Sequence, residues 1–175
     1  VEYPVDVLIY ATGFQWMATA TFEMIVGQDG RTLRQKWQEE GTKTFLGIHS
    51  HGFPNLFVMS GPQGGGGQFN FTRGIESHTD YVLWMLETLR ERGAKRVDIT
   101  PDPEIEYAAH CREVDTRTRP LRDCISYYNG EGKAEPGSLA YYGGPVKWHE
   151  LRTQAQASMD VYVFDDGGRT QAVGK

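Results

Sequence analysis

Two short, continuous hydrophobic runs stand out along the chain: Val-Leu-Ile at residues 7–9 and Leu-Phe-Val-Met at residues 56–59. Such runs are typical of strands that are buried on both faces of a parallel sheet. Each run stops at small residues, Ala-Thr-Gly at 11–13 and Ser-Gly-Pro at 60–62, where a ligand can approach the backbone closely. We therefore predict two neighbouring, parallel, buried strands with a candidate ligand site at their carboxyl ends, although an ordinary strand-to-loop exit gives the same Ala-Thr-Gly pattern.

The spacing of apolar residues predicts helices between and after these runs. Between residues 72 and 92 they recur at steps of three, four or seven, and Gly93 is placed to end the helix. Further helices are predicted at residues 32–40, 102–117 and 146–157, and further strands at residues 23–26, 44–48, 96–99 and 160–164. Strands that alternate with helices predict an α/β fold, here with an incomplete sheet.

The most unusual composition lies between the second run and the long helix, where Gln63 is followed by four consecutive glycines and then by Gln-Phe-Asn-Phe. Glycines lose backbone entropy when they become ordered, so this position favours a loop whose amides meet a flat or charged ligand. The chain contains no Gly-x-Gly-x-x-Gly motif, and a glycine run alone is weak evidence of a phosphate site. The structural alternative is that the glycines only permit tight packing between strand and helix.

Three side chains are weak candidates for acid–base catalysis: His49, His51 and Asp80. Alternation in an extended segment would direct the two histidines to one side, as in half of a metal site. No Cys or His at metal-like spacing completes such a site, so we predict no metal. His78 falls on the apolar face of the long helix and is predicted to be a hydrogen-bonded core histidine.

Composition and charge limit the partners of the chain. A net charge of −5 and a pI near 5.5 give no electrostatic reason to expect nucleic acid or an anionic membrane. No apolar run reaches the roughly 18 residues that suggest a membrane span. Cys111 and Cys124 fit a reducing compartment, so we expect a cytoplasmic protein, while the sequence leaves open whether they pair. The start, Val-Glu-Tyr-Pro, is neither a signal peptide nor an initiator Met, and we expect a chain that is processed or cut from something longer.

The ordered pair of motifs, DVLIYATGF at residues 6–14 and GFPNLFVMSGP at residues 52–62 followed by a helix, resembles the last part of the FAD domain in flavin-containing monooxygenases. The closest resemblance is to the Baeyer–Villiger monooxygenases, and it extends from residue 6 to about residue 149. It implies that residues 1–95 are the C-terminal segment of a Rossmann-like FAD-binding domain with parallel strands. Residues 96–175 would then be a helical, loop-rich C-terminal extension of the same domain.

The resemblance also implies cofactors, a substrate class and site residues. The complete protein would use FAD and NADPH to insert oxygen beside the carbonyl of a small ketone or of a polycyclic, natural-product-like molecule. The positions that match the cofactor-binding parts of the family are Thr12, Gly13, Gly61, Pro62, Asn70, Phe71 and Tyr127. Where the family commonly has Trp-Tyr in its C-terminal loop, this chain has Tyr127-Tyr128, a departure that bears on the handling of NADPH.

The dinucleotide-binding motifs and principal catalytic residues of the family have no counterpart in this chain. We therefore expect the chain alone to bind neither cofactor tightly, and an upstream FAD- and NADPH-binding region or a self-associating copy to be its partner. Two other classes of function stay open. One is a flavin-free isomerase, cyclase or lyase that uses His49, His51 and Asp80, and the other is a non-catalytic scaffold remnant that binds through its free strand edge.

Overall fold

A computed structural model of the protein describes residues 2–11, 20–65, 70–118, 137 and 139–166. These residues form five helices and two strands. In chain order they are α1 (Thr21–Met24), α2 (Leu33–Glu40), α3 (Phe71–Arg92), β1 (Arg96–Ile99), α4 (Pro101–Thr118), α5 (Gly144–Ser158) and β2 (Tyr162–Asp165). The mixture of helices and strands agrees with the predicted α/β class.

The helices begin and end where local signals predict. At the start of α2, Gln35 N–H donates to the Thr32 hydroxyl and Thr32 N–H donates to the Gln35 side chain, at 3.2 and 2.8 Å. This reciprocal capping box satisfies amides that the first helical turn leaves free. Helix α3 ends at Gly93, whose left-handed φ of 64° is accessible to glycine at little cost. Helices α2 and α3 are therefore confirmed within one residue of the predicted bounds.

The prediction of two buried, parallel strands is wrong for the described residues. Val7, Leu8 and Ile9 are 74, 65 and 82% exposed, and no strand forms in residues 2–11. Residues 56–59 form no strand either, and of them only Val58 forms a backbone hydrogen bond to another segment, through its N–H to the Ile48 carbonyl at 2.8 Å. The physical reason is that a strand needs neighbours for its backbone hydrogen bonds, and the described residues supply no partner for the first run.

Within the part of the chain that the structure describes, the only sheet is the antiparallel pair of β1 and β2. Arg96 lies opposite Asp165 and Ile99 lies opposite Tyr162. The predicted strands at residues 96–99 and 160–164 are thus formed, and the second is shifted toward the C-terminus. Their antiparallel pairing differs from the parallel arrangement of a Rossmann-like sheet.

The predicted strand at residues 44–48 is instead a buried turn, closed by the Phe45 N–H to His49 carbonyl bond of 2.8 Å. Leu46 and Gly47 have φ angles of 58° and 71°, and a Cβ on Gly47 would overlap the backbone of Gly64. A direct backbone-to-backbone contact therefore replaces the expected extended segment. The predicted strand at 23–26 is also wrong, because residues 23 and 24 lie in the short helix α1 and only Val26 forms an isolated bridge, with Thr32.

The main hydrophobic core lies between α3, α4, α5, the small sheet and the turn at residues 45–48. Its largest members include Tyr81, Met85, Tyr141 and Trp148, and the Trp148 indole N–H donates to the Leu46 carbonyl at 3.0 Å. This core contains residues from both predicted segments, 1–95 and 96–175. The boundary between these segments stays a prediction. Cys111 is a free, buried thiol in this core, and burial raises its pKa to about 12.

Candidate functional site

The glycine-rich loop connects the apolar run at residues 56–59 to the N-terminus of α3, and the structure describes its first half, residues 61–65. Of the predicted cofactor-binding residues, Gly61 is half-buried and Pro62 is buried in this half. Asn70 and Phe71 are exposed at the helix start. Thr12, Gly13 and Tyr127 lie outside the described residues. Four of the seven predicted positions therefore lie in the loop before α3 or at the start of this helix.

Two glycines in this loop are closely packed against their surroundings. A Cβ on Gly61 would overlap the Val58 side chain. A Cβ on Gly64 would lie 3.0 Å from His78 Cε1 and 3.2 Å from the Gly47 carbonyl oxygen, closer than ordinary contacts. At these two positions the geometry favours the tight-packing explanation for the glycines. Gly66 and Gly67 lie outside the described residues, so the explanation does not extend to them.

Gln63 holds the loop through its buried carboxamide. Its Oε1 accepts hydrogen bonds from the N–H and the hydroxyl of Thr44, at 2.9 and 2.8 Å. Its Nε2 donates to the carbonyls of Thr42 and Gly137, at 3.2 and 2.8 Å. Sequence analysis assigned no role to this residue, although a polar side chain between Ser-Gly-Pro and four glycines was a usable signal.

His78 lies beneath the same loop on the buried face of α3. Its Nδ1 accepts the N–H of Ser60 at 3.2 Å, and its ring packs against Trp148 with centroids 5.1 Å apart. Burial lowers the pKa of His78 to about 4, and a hydrogen bond with the Gly64 backbone acts in the opposite direction. The imidazole is therefore neutral near pH 7, as expected for a hydrogen-bonded core histidine.

The N-terminus of α3 borders an open groove of about 320 Å³. The described residues that line it are Phe71, Thr72, Ile75, Glu76, Thr79 and Asp80. The Asn70 side chain accepts the Arg73 N–H at 3.0 Å and so caps the helix, while Phe71 is 69% exposed. The remaining amides of the first turn give this end of the helix a partial positive charge that favours an electron-rich or anionic group.

The three acid–base candidates do not form one site. His49 is buried, and its Nε2 lies 2.9 Å from the Tyr81 hydroxyl, which lies 2.7 Å from the Tyr162 hydroxyl. Burial lowers the pKa of His49 to about 3. His51 is hydrogen-bonded through Nδ1 to the Ile99 carbonyl at 2.7 Å. Asp80 lines the surface groove, where no histidine occurs among the described lining residues.

A buried ion pair joins α2 to the start of α4. The Lys36 ammonium lies 2.7 and 2.8 Å from the two carboxylate oxygens of Glu104, and both residues are 3% exposed. Ser50 Oγ donates to Glu104 at 2.8 Å, and Lys36 donates to the His51 carbonyl at 2.9 Å. The pair therefore fixes the segment that contains both histidines. The signal that could have found it is the position of Lys36 three residues after the apolar Leu33, which places both on one side of α2.

A metal-binding cluster and a membrane-spanning helix are both absent from the described residues. No group of three or more His, Cys, Asp or Glu side chains in them is arranged to hold a metal ion. None of their helices combines the length and the apolar character that a bilayer crossing requires.

Comparison with known proteins relates the chain to monooxygenases, although no family model matches it. The ketocytochalasin monooxygenase of Aspergillus clavatus is 31% identical in an alignment of 175 positions that covers 94% of this chain and 27% of that protein. A Baeyer–Villiger monooxygenase of Streptomyces coelicolor is 32% identical over 166 residues, covering 91% and 27%. The solved complex of the protein OTEMO with FAD and NADP superposes with a TM-score of 0.73 at 24% identity, covering 94% of this chain and 31% of that one.

The described fold is therefore shared with part of the flavin monooxygenases. More narrowly, the chain is a homologue of the Baeyer–Villiger monooxygenases, which confirms the resemblance carried by the two motifs. It spans 27% of the length of each of the two curated relatives described, consistent with a C-terminal part of such an enzyme.

Proposed function

We propose that this chain is the C-terminal part of an FAD- and NADPH-dependent Baeyer–Villiger monooxygenase, which inserts oxygen beside the carbonyl of a ketone. Homologous monooxygenases use FAD and NADP, and a relative carries the name ketocytochalasin monooxygenase. The observation that carries the proposal is the anchored glycine loop that leads into the exposed N-terminus of α3, at the connection that the family resemblance assigns to the flavin. The substrate class is a small ketone or a polycyclic, natural-product-like ketone.

The residues present fit one wall of a flavin site. Pro62, Gln63 and Gly64 are buried and held by backbone and side-chain hydrogen bonds, whereas Asn70 and Phe71 are exposed at the end of a 22-residue helix. A fixed backbone beside an exposed aromatic ring can orient a flat ring system and exclude water from it. When bound, the flavin would supply the redox chemistry. Thr12, Gly13, Gly61, Pro62 and Tyr127 complete the proposed contact set.

The first apolar run supports a partner region that completes the domain. The large apolar side chains that are exposed in this segment are those of Tyr3, Val5, Val7, Leu8, Ile9 and Tyr10. Consecutive residues of a strand point to opposite faces, so the run Val7–Leu8–Ile9 would present apolar side chains on both faces. A one-sided dimer contact would bury only one of these faces, which favours the interior of a sheet formed with an FAD- and NADPH-binding region over a self-associating copy.

The function can be tested in the chain together with its natural flanking sequence. We expect the purified protein to carry a yellow flavin and to oxidise NADPH in a ketone-dependent reaction that yields an ester or lactone. The variant Leu8→Asp should lose flavin, whereas Asp6→Asn, at an exposed neighbouring position, should retain it. A wild-type protein that binds no flavin would contradict the proposal, and catalysis without flavin would favour an isomerase, cyclase or lyase.

Two alternatives receive different support. An acid–base enzyme built on His49, His51 and Asp80 is disfavoured, because both histidines are held by internal hydrogen bonds and Asp80 lies in a separate groove. The exposed segment at residues 3–10 is expected both for the main proposal and for a non-catalytic scaffold. Concentration-dependent dimerisation without turnover would favour it. A cytoplasmic location stays a prediction.

A further inference from the structure

We propose that Gln63 is a positioning residue whose carboxamide fixes the conformation of the glycine loop, and therefore the surface that this loop presents to the flavin. The inference rests on the proposed function. It goes beyond that function because Gln63 is not among the residues that the resemblance assigns to the cofactor. The residue is 1% exposed, so its role is exerted through the loop and not by contact with solvent or substrate.

The orientation of the Gln63 carboxamide is determined by its neighbours. The Thr44 N–H is a hydrogen-bond donor, so the atom that faces it at 2.9 Å must be the oxygen Oε1. The carbonyls of Thr42 and Gly137 are acceptors, so the atom that faces them must be the nitrogen Nε2. Only a primary amide supplies an acceptor on one side and two donors on the other. A carboxylate of the same length would place an oxygen against two carbonyl oxygens.

The backbone of Gln63 is held as well. Its N–H donates to the Leu139 carbonyl at 3.2 Å, and its carbonyl accepts the Tyr107 hydroxyl at 2.9 Å. Every polar atom of Gln63 therefore has a partner, and the partners come from the 42–44 segment, helix α4 and residues 137–139. One residue thus fastens the glycine loop to three separate parts of the chain.

The conformation that these bonds hold is an unusual one. Gln63 has a φ of 62°, in the left-handed region that side chains other than glycine, Asn and Asp rarely adopt. Without its hydrogen bonds the residue would relax toward a negative φ, and such a change rotates the peptide groups that follow it. The next residues, Gly64 and Gly65, belong to the loop that is proposed to face the flavin, and the Gly65 carbonyl accepts the Tyr141 N–H at 3.2 Å. A left-handed residue at this point therefore sets the direction of the loop amides.

The test compares Gln63→Met and Gln63→Glu with the control Gln38→Glu in the flavin-loaded protein with its natural flanking sequence. Met keeps approximately the volume and removes the hydrogen bonds, whereas Glu keeps the acceptor and removes the donors. Gln38 lies exposed on α2, so its variant adds the same charge without touching the loop. We expect both Gln63 variants to change the visible absorption spectrum of bound flavin and to lower kcat by about 10²-fold, the scale of a small misplacement in a reactive geometry.

Two further measurements separate positioning from stability. Amide exchange at Gly64 and Gly65 should accelerate in Gln63→Met. The flavin spectrum of Gln63→Glu should move back toward that of the wild type as the pH falls, because a protonated acid regains one donor; Gln63→Met should show no such recovery. A folded Gln63→Met variant with unchanged flavin spectrum and kcat overturns the positioning role alone. A wild-type protein that contains no flavin overturns the proposed function. This outcome is distinguishable from a failure of the positioning role, because it is seen in the protein without any substitution.

Discussion

Removal of the Lys36 ammonium should cause a large loss of stability. In Lys36→Met the Glu104 carboxylate stays buried and keeps hydrogen bonds from Ser50 Oγ and the His51 N–H, at 2.8 and 3.2 Å, but it loses its opposite charge. The His51 carbonyl also loses a donor at 2.9 Å. Breaking a buried pair from one side costs about 3–5 kcal/mol. Since two donors to Glu104 remain, we expect a loss near the lower bound, roughly 3 kcal/mol.

The assay is urea or thermal unfolding of the 175-residue chain, followed by far-UV circular dichroism. A loss of about 3 kcal/mol corresponds to a fall in Tm of roughly 6–12 °C for a domain of this size. The double variant Lys36→Met/Glu104→Met removes both charges and should be more stable than Lys36→Met alone, because no uncompensated charge stays buried.

The matched control is Lys147→Met, which breaks the exposed pair of Lys147 with Glu150, 3.0 Å apart. Exposed pairs contribute about 0–1 kcal/mol, so this variant should unfold close to the wild type. If Lys36→Met lost less than about 1 kcal/mol, or if the double variant were as unstable as the sum of the two single variants, the assignment of a coupled, desolvated pair would be refuted.

Three further predictions concern acid stability, backbone packing and the isolated chain. Burial lowers the pKa values of His49 and His78 from 6.5 to about 3 and about 4, so the unfolded state binds more protons below pH 6.5. The unfolding free energy should fall between pH 6.5 and pH 4 by up to about 1.4 kcal/mol per pH unit for each histidine. In His49→Gln, the unfolding free energy from urea titrations should depend less steeply on pH than in the wild type. An unchanged slope in this variant would contradict the assignment of a buried, neutral His49. Gly47→Ala should lower Tm far more than Gly30→Ala. Both residues have a positive φ, but only a Cβ at residue 47 would meet the backbone of Gly64. Equal decreases in Tm would show that backbone strain from the positive φ, and not this contact, determines the loss of stability. Equilibrium dialysis of the 175-residue chain should find weak FAD binding or none, since no Gly-x-Gly-x-x-Gly turn is present, and tight binding would overturn this reasoning.

Local sequence signals predicted the helices well because their causes are local. The capping residues around Thr32 and the left-handed stop at Gly93 act within one turn, so α2 and α3 were predicted within one residue. The strands failed for the opposite reason. An apolar run becomes a strand only when another segment pairs with it, and the described residues offer no such segment to Val7–Leu8–Ile9. The turn at residues 45–48 depends on the contact between Gly47 and Gly64, which no local pattern contains.

The glycine-rich loop could be located from the sequence, but its supporting contacts could not, and its role as a site stays a prediction. The glycine run marked the connection into α3, because consecutive glycines before a helix are unusual. The partners of Gln63 lie 19 to 76 residues away along the chain, from Thr44 to Leu139, and those of Lys36 include Glu104, 68 residues away. Such pairings depend on the tertiary fold. The sequence itself indicated only that polar residues occupy positions where the pattern predicts apolar ones.

The exposed segment at residues 3–10 has a consequence for how the protein is made. A short apolar segment of high β-propensity is a nucleus for aggregation when it stays unpaired. Pro4 and Asp6 interrupt it near its start, in the manner of gatekeeper residues, but the stretch from Val7 to Tyr10 carries no charge. In a polypeptide synthesised from its N-terminus, an upstream region would already have emerged from the ribosome when this segment appears, and could cover it at once. A chain produced without that region would expose the segment to other copies and to chaperones, so its yield would be limited by solubility before its chemistry could be measured.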